Sequence, residues 1–126
     1  MGIKYIAREK GNPLKPKEQK KWYASTKSTG DVTLKALGKE IAHRSTVSHA
    51  DTQAVLIALT EVLVEHLSDN QIVRLGDFGS FQVSISSEGV EKEEKVTASI
   101  IKNSKVIFRP GTDIKEMLNN LKYEKA

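Results

Sequence analysis

The chain has 126 residues, 38% hydrophobic and 29% charged, with a formal net charge of +4 and a sequence pI near 9.3. That length suits one domain with its own core, and no apolar run approaches the roughly 20 residues needed to cross a bilayer. The absence of cysteine removes disulfides, thiol nucleophiles and thiolate metal sites together.

Residues 1–7 lack the apolar segment of a secretory signal, so a cytoplasmic setting is expected. Charge is unevenly placed. Residues 1–27 hold eight Lys/Arg against two acids, residues 28–73 three against six, and residues 74–126 nine against eight. The basic excess therefore lies at the N-terminal end. It is either a solubilising segment or a phosphate-contacting one, with Lys15, Lys17, Lys20 and Lys21 as candidate contacts.

Residues 3–9 alternate weakly, as a strand would, and residues 20–26 form a second run rich in aromatic and polar residues. Gly11-Asn12-Pro13 and Pro16 break the chain between them. The segment 1–30 thus reads as a β-hairpin with a loose Lys/Pro loop, or as a partly disordered arm, preceding a main domain over 31–126. Trp22 and Tyr23 are candidates for stacking on bases, for core packing or for a dimer edge.

Thr29-Gly30-Asp31 predicts a turn, and Asp31 or Thr33 can cap a helix beginning near Thr33. Leu34, Leu37 and Ile41 line one face of that helix, which Arg44-Ser45-Thr46 ends. Ser48 and Asp51 have the spacing of a capping box, with Asp in place of the usual Glu, opening a second helix to about Leu67. Ala54, Val55, Ile57, Ala58, Leu59, Val62, Leu63, Val64 and Leu67 wrap more than one face of it. A lone surface helix needs only a stripe. The pattern favours an intertwined dimer, with a well-covered monomer core as the alternative.

Ser68-Asp69-Asn70 predicts a turn and residues 72–75 a strand. Gly76 to Gly79 then form a tight connection, and residues 81–85 alternate, with Phe81, Val83 and Ile85 on one side and Gln82 and Ser84 on the other. Residues 86–95 read as a polar loop. Residues 96–101 resume β character, and residues 105–109 alternate, with Val106 and Phe108 opposite Lys105, Ile107 and Arg109. Pro110-Gly111 stops this strand. Thr112 caps a last helix whose Ile114, Met117, Leu118 and Leu121 share a face.

Catalytic chemistry finds no constellation here. Gly76-x-x-Gly79 lacks the Lys-Ser/Thr of a Walker loop and leads into a strand, so no helix N-terminus awaits a phosphate. His43, His49 and His66 lack the spacing of a helical metal site, and no serine sits in a nucleophile elbow. No enzyme activity, cofactor, metal, small-molecule substrate or membrane partner is expected. Arg74, Lys102, Lys105 and Arg109 lie on or beside predicted strands, and Lys115 lies early in the last helix. They form either an ordinary polar face or one that follows nucleic-acid phosphates.

Gly76, Phe78, Gly79, Ser80 and Phe81, with Phe108-Arg109-Pro110-Gly111 downstream and helices on either side, resemble the signatures of the HU and integration host factor family of bacterial DNA-bending proteins. The resemblance spans roughly residues 31 to 121. It implies an α+β, HU/IHF-like intertwined homodimer with a two-helix body, a three-stranded sheet and a short C-terminal helix, here carrying an N-terminal β extension. It also implies a histone-like, nucleoid-associated partner of double-stranded DNA. By position, Arg109 and Lys115 match basic family residues, and Gly76 and Ser80 match turn positions close to a phosphate. Thr112 stands where the family often has Lys. The family's arm is basic with a proline at its tip, whereas residues 84–104 contain neither proline nor arginine. From Glu88 to Lys95 there are four acids and two lysines, which repel phosphate. Ser87-Glu88-Gly89-Val90-Glu91 and the N-terminal extension are similar to the divergent HU-related subgroup of Bacteroides-type bacteria. The alternative is an HU-fold protein-interaction module with weakened DNA binding.

Overall fold

A computed structural model describes residues 2–11, 13–15 and 17–126 of the chain. In chain order the elements are β1 (Ile3–Lys10), β2 (Lys21–Thr26), α1 (Leu34–Arg44), α2 (His49–Ser68), β3 (Val73–Arg74), β4 (Gly79–Ser87), β5 (Ile101–Pro110), α3 (Thr112–Asn119) and β6 (Tyr123–Lys125). This is a mixed α+β chain with two small sheets, ordered β2-β1-β6 and β3-β4-β5. Residues 34–116 form one compact unit, and residues 1–33 with 117–126 form another.

In the first of these units α1 begins directly after Thr33 and α2 follows after a short turn. The Ser48 side chain accepts the Asp51 amide at 3.2 Å, which satisfies one of the free N–H groups at the start of α2. Gln53 Nε2 donates to the Lys35 carbonyl at 2.9 Å and lies against Gly38, the buried residue of α1. A side chain at 38 would displace that amide from the Lys35 carbonyl. α2 ends at Ser68, and Asn70, in the left-handed region at φ 62, reverses the chain toward β3.

The apolar residues of α2 remain largely in water within one chain. Val55 is 63% exposed, Val64 65%, Ile57 49% and Val62 45%, and no hydrophobic side chain is buried among the described residues.

β4 and β5 pair antiparallel over nine registered positions, from Gly79↔Pro110 to Ser87↔Ile101. The ladder slips between Ser86 and Ser87, leaving Lys102 as the extra residue of a bulge. The segment expected to regain β character at 96–101 does so only at Ile101. It instead folds as two short 3-10 turns, Glu93–Lys95 and Ala98–Ile100, closed by the Val96 amide on the Glu93 carbonyl and the Ile100 amide on the Thr97 carbonyl. No strand among the described residues faces this stretch, and local i to i+3 bonds take up part of its backbone groups instead.

In the second unit β1 and β2 form an antiparallel hairpin, one of the two forms expected of the N-terminal segment. The breaker positions Asn12 and Pro16 lie outside the described residues. A strand that the sequence pattern did not anticipate, β6, pairs parallel with β1 through Ile3↔Tyr123, Lys4↔Glu124 and Tyr5↔Lys125. α3 correspondingly ends at Asn119, two residues short of Leu121, which was expected on its apolar face. Asn119 and Asn120 are weak helix formers, and the Asn120 amide bonds the Met117 carbonyl in a closing turn.

Candidate nucleic-acid interface

The period-two alternation of β4 and β5 sorts their side chains onto opposite faces. Phe81, Val83, Val106 and Phe108 occupy one face through the pairs Phe81↔Phe108 and Val83↔Val106. The Phe81 and Phe108 rings lie 4.9 Å apart and the Phe78 and Phe108 rings 5.6 Å apart, within aromatic contact. With that face given to aromatic packing, the other is polar.

Across the polar face Arg74, Ser80 and Arg109 form one row over three strands, through Arg74↔Ser80 and Ser80↔Arg109. Lys105 sits on the same face beside Ser84, four residues from Arg109, or about 13 Å along the strand. A depression of about 250 Å³ lined by Ser84, Ile85, Ser86, Asn103 and Lys105 opens beside it. Arg74, Lys105, Arg109 and Lys115 have no ion-pair partner among the described residues. Their charges are available to an anion.

Two glycines and a tether shape the end of this face. The Leu75 amide bonds the Gly79 carbonyl at 2.8 Å, and Gly76 takes φ 54 in the turn between. Gly79 has φ 151, and a Cβ there would meet the Arg109 carbonyl oxygen at 2.5 Å and the Phe108 ring at 2.6 Å. The Gly111 amide then bonds the Phe78 carbonyl at 2.9 Å, and the Asp113 amide the Asp77 carbonyl at 3.0 Å. These bonds fix the start of α3 to the β3–β4 turn. Lys115 follows one helical turn later, its amide on the Gly111 carbonyl.

The expected site residues are therefore only partly gathered. Arg74, Ser80, Lys105 and Arg109 share a face, with Gly76 and Lys115 at its turn end. Lys102 is set apart by the bulge, and its Nζ lies 2.7 Å from Glu88 Oε1. Lys15 pairs with Glu18 at 3.5 Å, while Lys17, Lys20 and Lys21 are exposed.

The N-terminal unit also holds Lys4, Arg8 and Lys10, which sequence reasoning passed over. In register, Lys10↔Lys21 and Arg8↔Tyr23 place them on one face of the β1–β2 hairpin with Lys21, an expected contact. Lys4 is bound to Glu124 at 2.7 Å. A depression of about 380 Å³ beside the others is lined by Lys10, Gly11, Glu18, Gln19, Lys21 and Tyr23. The alternation of residues 4, 8 and 10 carried this signal, once a strand was assumed. The charge division is sharper by structural unit than along the sequence. Residues 1–33 with 117–126 hold ten Lys/Arg against four acids, a net +6, and residues 34–116 hold ten against twelve, a net −2.

Two of the three histidines have side-chain partners within α2 or at its end. His66 Nδ1 is hydrogen-bonded to Gln71 Oε1 at the end of α2, and His49 Nε2 lies 3.4 Å from Gln53 Nε2.

The chain belongs to the HU-HIG family, described as an HU domain fused to wHTH, Ig, or Glycine-rich motif, whose model matches residues 1–125. The HU resemblance read from the two glycine-phenylalanine signatures is borne out, and the match takes in the N-terminal hairpin as well. No curated protein matches the chain. Among solved structures, the chain is similar to a protein from Bacteroides vulgatus ATCC 8482, provisionally described as a bacterial DNA binding protein, with TM-score 0.65 and 13% identity. The match covers 98% of this chain and 47% of that one, so this chain spans less than half the neighbour's length. At that identity the likeness is one of fold. No helix among the described residues is long and apolar enough to cross a membrane.

Proposed function

We propose that this chain is a histone-like, nucleoid-associated DNA-binding protein of the bacterial cytoplasm. It acts as a homodimer and binds duplex DNA largely without regard to sequence. The observation that carries the reading is the row Arg74–Ser80–Arg109 with Lys105 on the same sheet face, free of ion pairs among the described residues. Phosphates need charge at a spacing and little else, and side chains on a sheet supply it without reading base edges. Gly76 and Lys115 border that row, and Lys15, Lys17, Lys20 and Lys21 add cations from the N-terminal unit. No catalytic role is assigned to any residue.

The apolar flanks of α2 support the homodimer, since Val55, Ile57, Val62 and Val64 are exposed within one chain. A second copy covers them in the intertwined HU arrangement.

A second reading, a protein-interaction module on the HU fold, is favoured by one specific feature. The connection from Glu88 to Lys95 holds four acids and two lysines, and Glu88 binds Lys102. An anisotropy titration with linear and nicked duplex DNA across a salt series separates the two. Binding that weakens steeply with salt supports the DNA reading, and preference for the nicked duplex adds bending. No binding at low salt overturns it and leaves the protein-interaction module.

A further inference from the structure

The β2-β1-β6 sheet sets aromatic side chains on the face opposite its cations. The register pairs Glu9↔Trp22, Ala7↔Ala24, Tyr5↔Thr26, Ile3↔Tyr123 and Tyr5↔Lys125 all lie on that one face. Trp22 is 66% exposed and Tyr123 67%. Tyr5 and Tyr123 are diagonal neighbours on adjacent strands, within reach of each other's rings. Trp22 stands about 13 Å further along, four residues at strand rise. Ala7 and Ala24 lie between, and their small side chains keep this floor low. A depression of about 410 Å³ lined by Ile3, Tyr5, Ala24, Ser25, Thr26 and Tyr123 occupies the tyrosine end.

Exposed aromatic rings grouped on one face mark it as a candidate binding surface. The surrounding charge selects the kind of occupant. Lys125 shares the face, and Lys27 and Lys122 lie at its margin. The Lys27 amide is bonded to the Lys4 carbonyl and the Ile3 amide to the Lys122 carbonyl. Glu9 is the one acid on the face among the described residues. A second copy brings another unit of net +6 and is repelled. A polyanion with flat apolar groups fits both the rings and the lysines.

We propose that Tyr5, Trp22 and Tyr123 form a stacking site for unpaired bases of single-stranded DNA. In a duplex each base already has neighbours above and below, whereas an unpaired base offers its π-face to a ring, and such stacking tolerates any sequence. The site rests on the DNA-binding reading above and extends it to a second surface with a different substrate form.

Trp22 is the sole tryptophan, so its fluorescence reports on this face alone. The full chain is titrated with oligo-dT, which has little stacking of its own, and with a blunt duplex of equal length. Oligo-dT quenches Trp22 emission and the duplex does not. Tyr123→Leu and Tyr5→Leu each weaken oligo-dT binding about tenfold and leave duplex affinity unchanged, while Tyr123→Phe retains binding. Unaltered emission with oligo-dT, or equal weakening toward both DNAs, overturns the proposal. Emission that depends on protein concentration without DNA also overturns it, because a second copy then covers the face. Loss of duplex binding with oligo-dT quenching intact refutes the duplex reading alone.

Discussion

Lys102 Nζ lies 2.7 Å from Glu88 Oε1, so the bulge cation of β5 is neutralised by the first residue beyond β4. Both side chains are more than half exposed, at 57% and 56%, and a pair in that setting contributes at most about 1 kcal/mol to stability. Its larger consequence is for polyanions, because DNA must compete with Glu88 for the ammonium. Glu88→Gln therefore tightens duplex binding a few-fold and steepens the salt slope by about one phosphate contact, roughly 0.9 in log K against log salt. The melting temperature stays nearly constant. A titration in which E88Q matches the parent protein at every salt concentration removes Lys102 from the interface.

Arg109 shares its row with Arg74 through Ser80, and Lys105 stands on the same face further along β5. Charge reversal tests the face directly. Arg109→Glu and Lys105→Glu should each weaken duplex binding by tenfold or more, and each should lower the salt slope by about one. These positions are surface positions of a paired strand, so circular dichroism should show the fold retained. Unchanged affinity in both variants would place the duplex elsewhere, with the cations of the N-terminal unit next in order.

Much of this face was legible because alternation is a local property. Once Phe81, Val83 and Val106, Phe108 are read as apolar faces, Ser80, Lys105 and Arg109 fall on the opposite side without knowledge of pairing. The row itself was not legible, since Arg74↔Ser80↔Arg109 depends on register between strands, with Ser80 and Arg109 lying 29 positions apart in the chain. Lys102 shows the same limit, because its place as the extra residue of a bulge follows from the pairs Ser86↔Asn103 and Ser87↔Ile101 and not from alternation. β6 carried no signal at all. Three residues are too few for a period, and its place is set by pairing with β1, which begins 120 positions earlier at Ile3. The aromatic face of the N-terminal sheet needed that strand as well, for Tyr123 has no sequence neighbour among Tyr5 and Trp22. The helices were read nearly to their ends, since the Ser48 cap and the apolar spacing of α1 act within a few residues.

Gly79 holds the turn end of the site by two constraints at once. Its φ of 151 is rarely taken by L side chains, and a Cβ would lie 2.5 Å from the Arg109 carbonyl oxygen. Gly79→Ala adds backbone strain of about 1–3 kcal/mol and a collision with β5 that only backbone movement relieves. A clear fall in melting temperature is expected, together with weaker duplex binding, because the moving backbone belongs to Arg109. Gly89 offers the control. Nothing lies within 4 Å of a Cβ built there, so Gly89→Ala should leave both measurements close to the parent protein. Equal melting temperatures for the two variants would show that the turn relaxes without cost.

Val55, Leu59 and Val62 recur at four and three residues along α2, so they share one helical face, and they are 63%, 41% and 45% exposed. A face of that kind is costly in water, and the homodimer reading has a second copy cover it. Two consequences follow by mass action. The melting temperature should rise with protein concentration, since only the assembled form buries these residues. Val62→Asp should abolish the dimer in sedimentation equilibrium, because a carboxylate buried in an apolar interface without a partner carries a penalty of several kcal/mol. The same substitution should remove duplex binding even though Val62 lies on no DNA-facing strand, as each chain alone presents half of the basic surface. A parent protein that sediments as a monomer, with a melting temperature independent of concentration, would end the dimer reading. The apolar flank of α2 would then belong to a different partner.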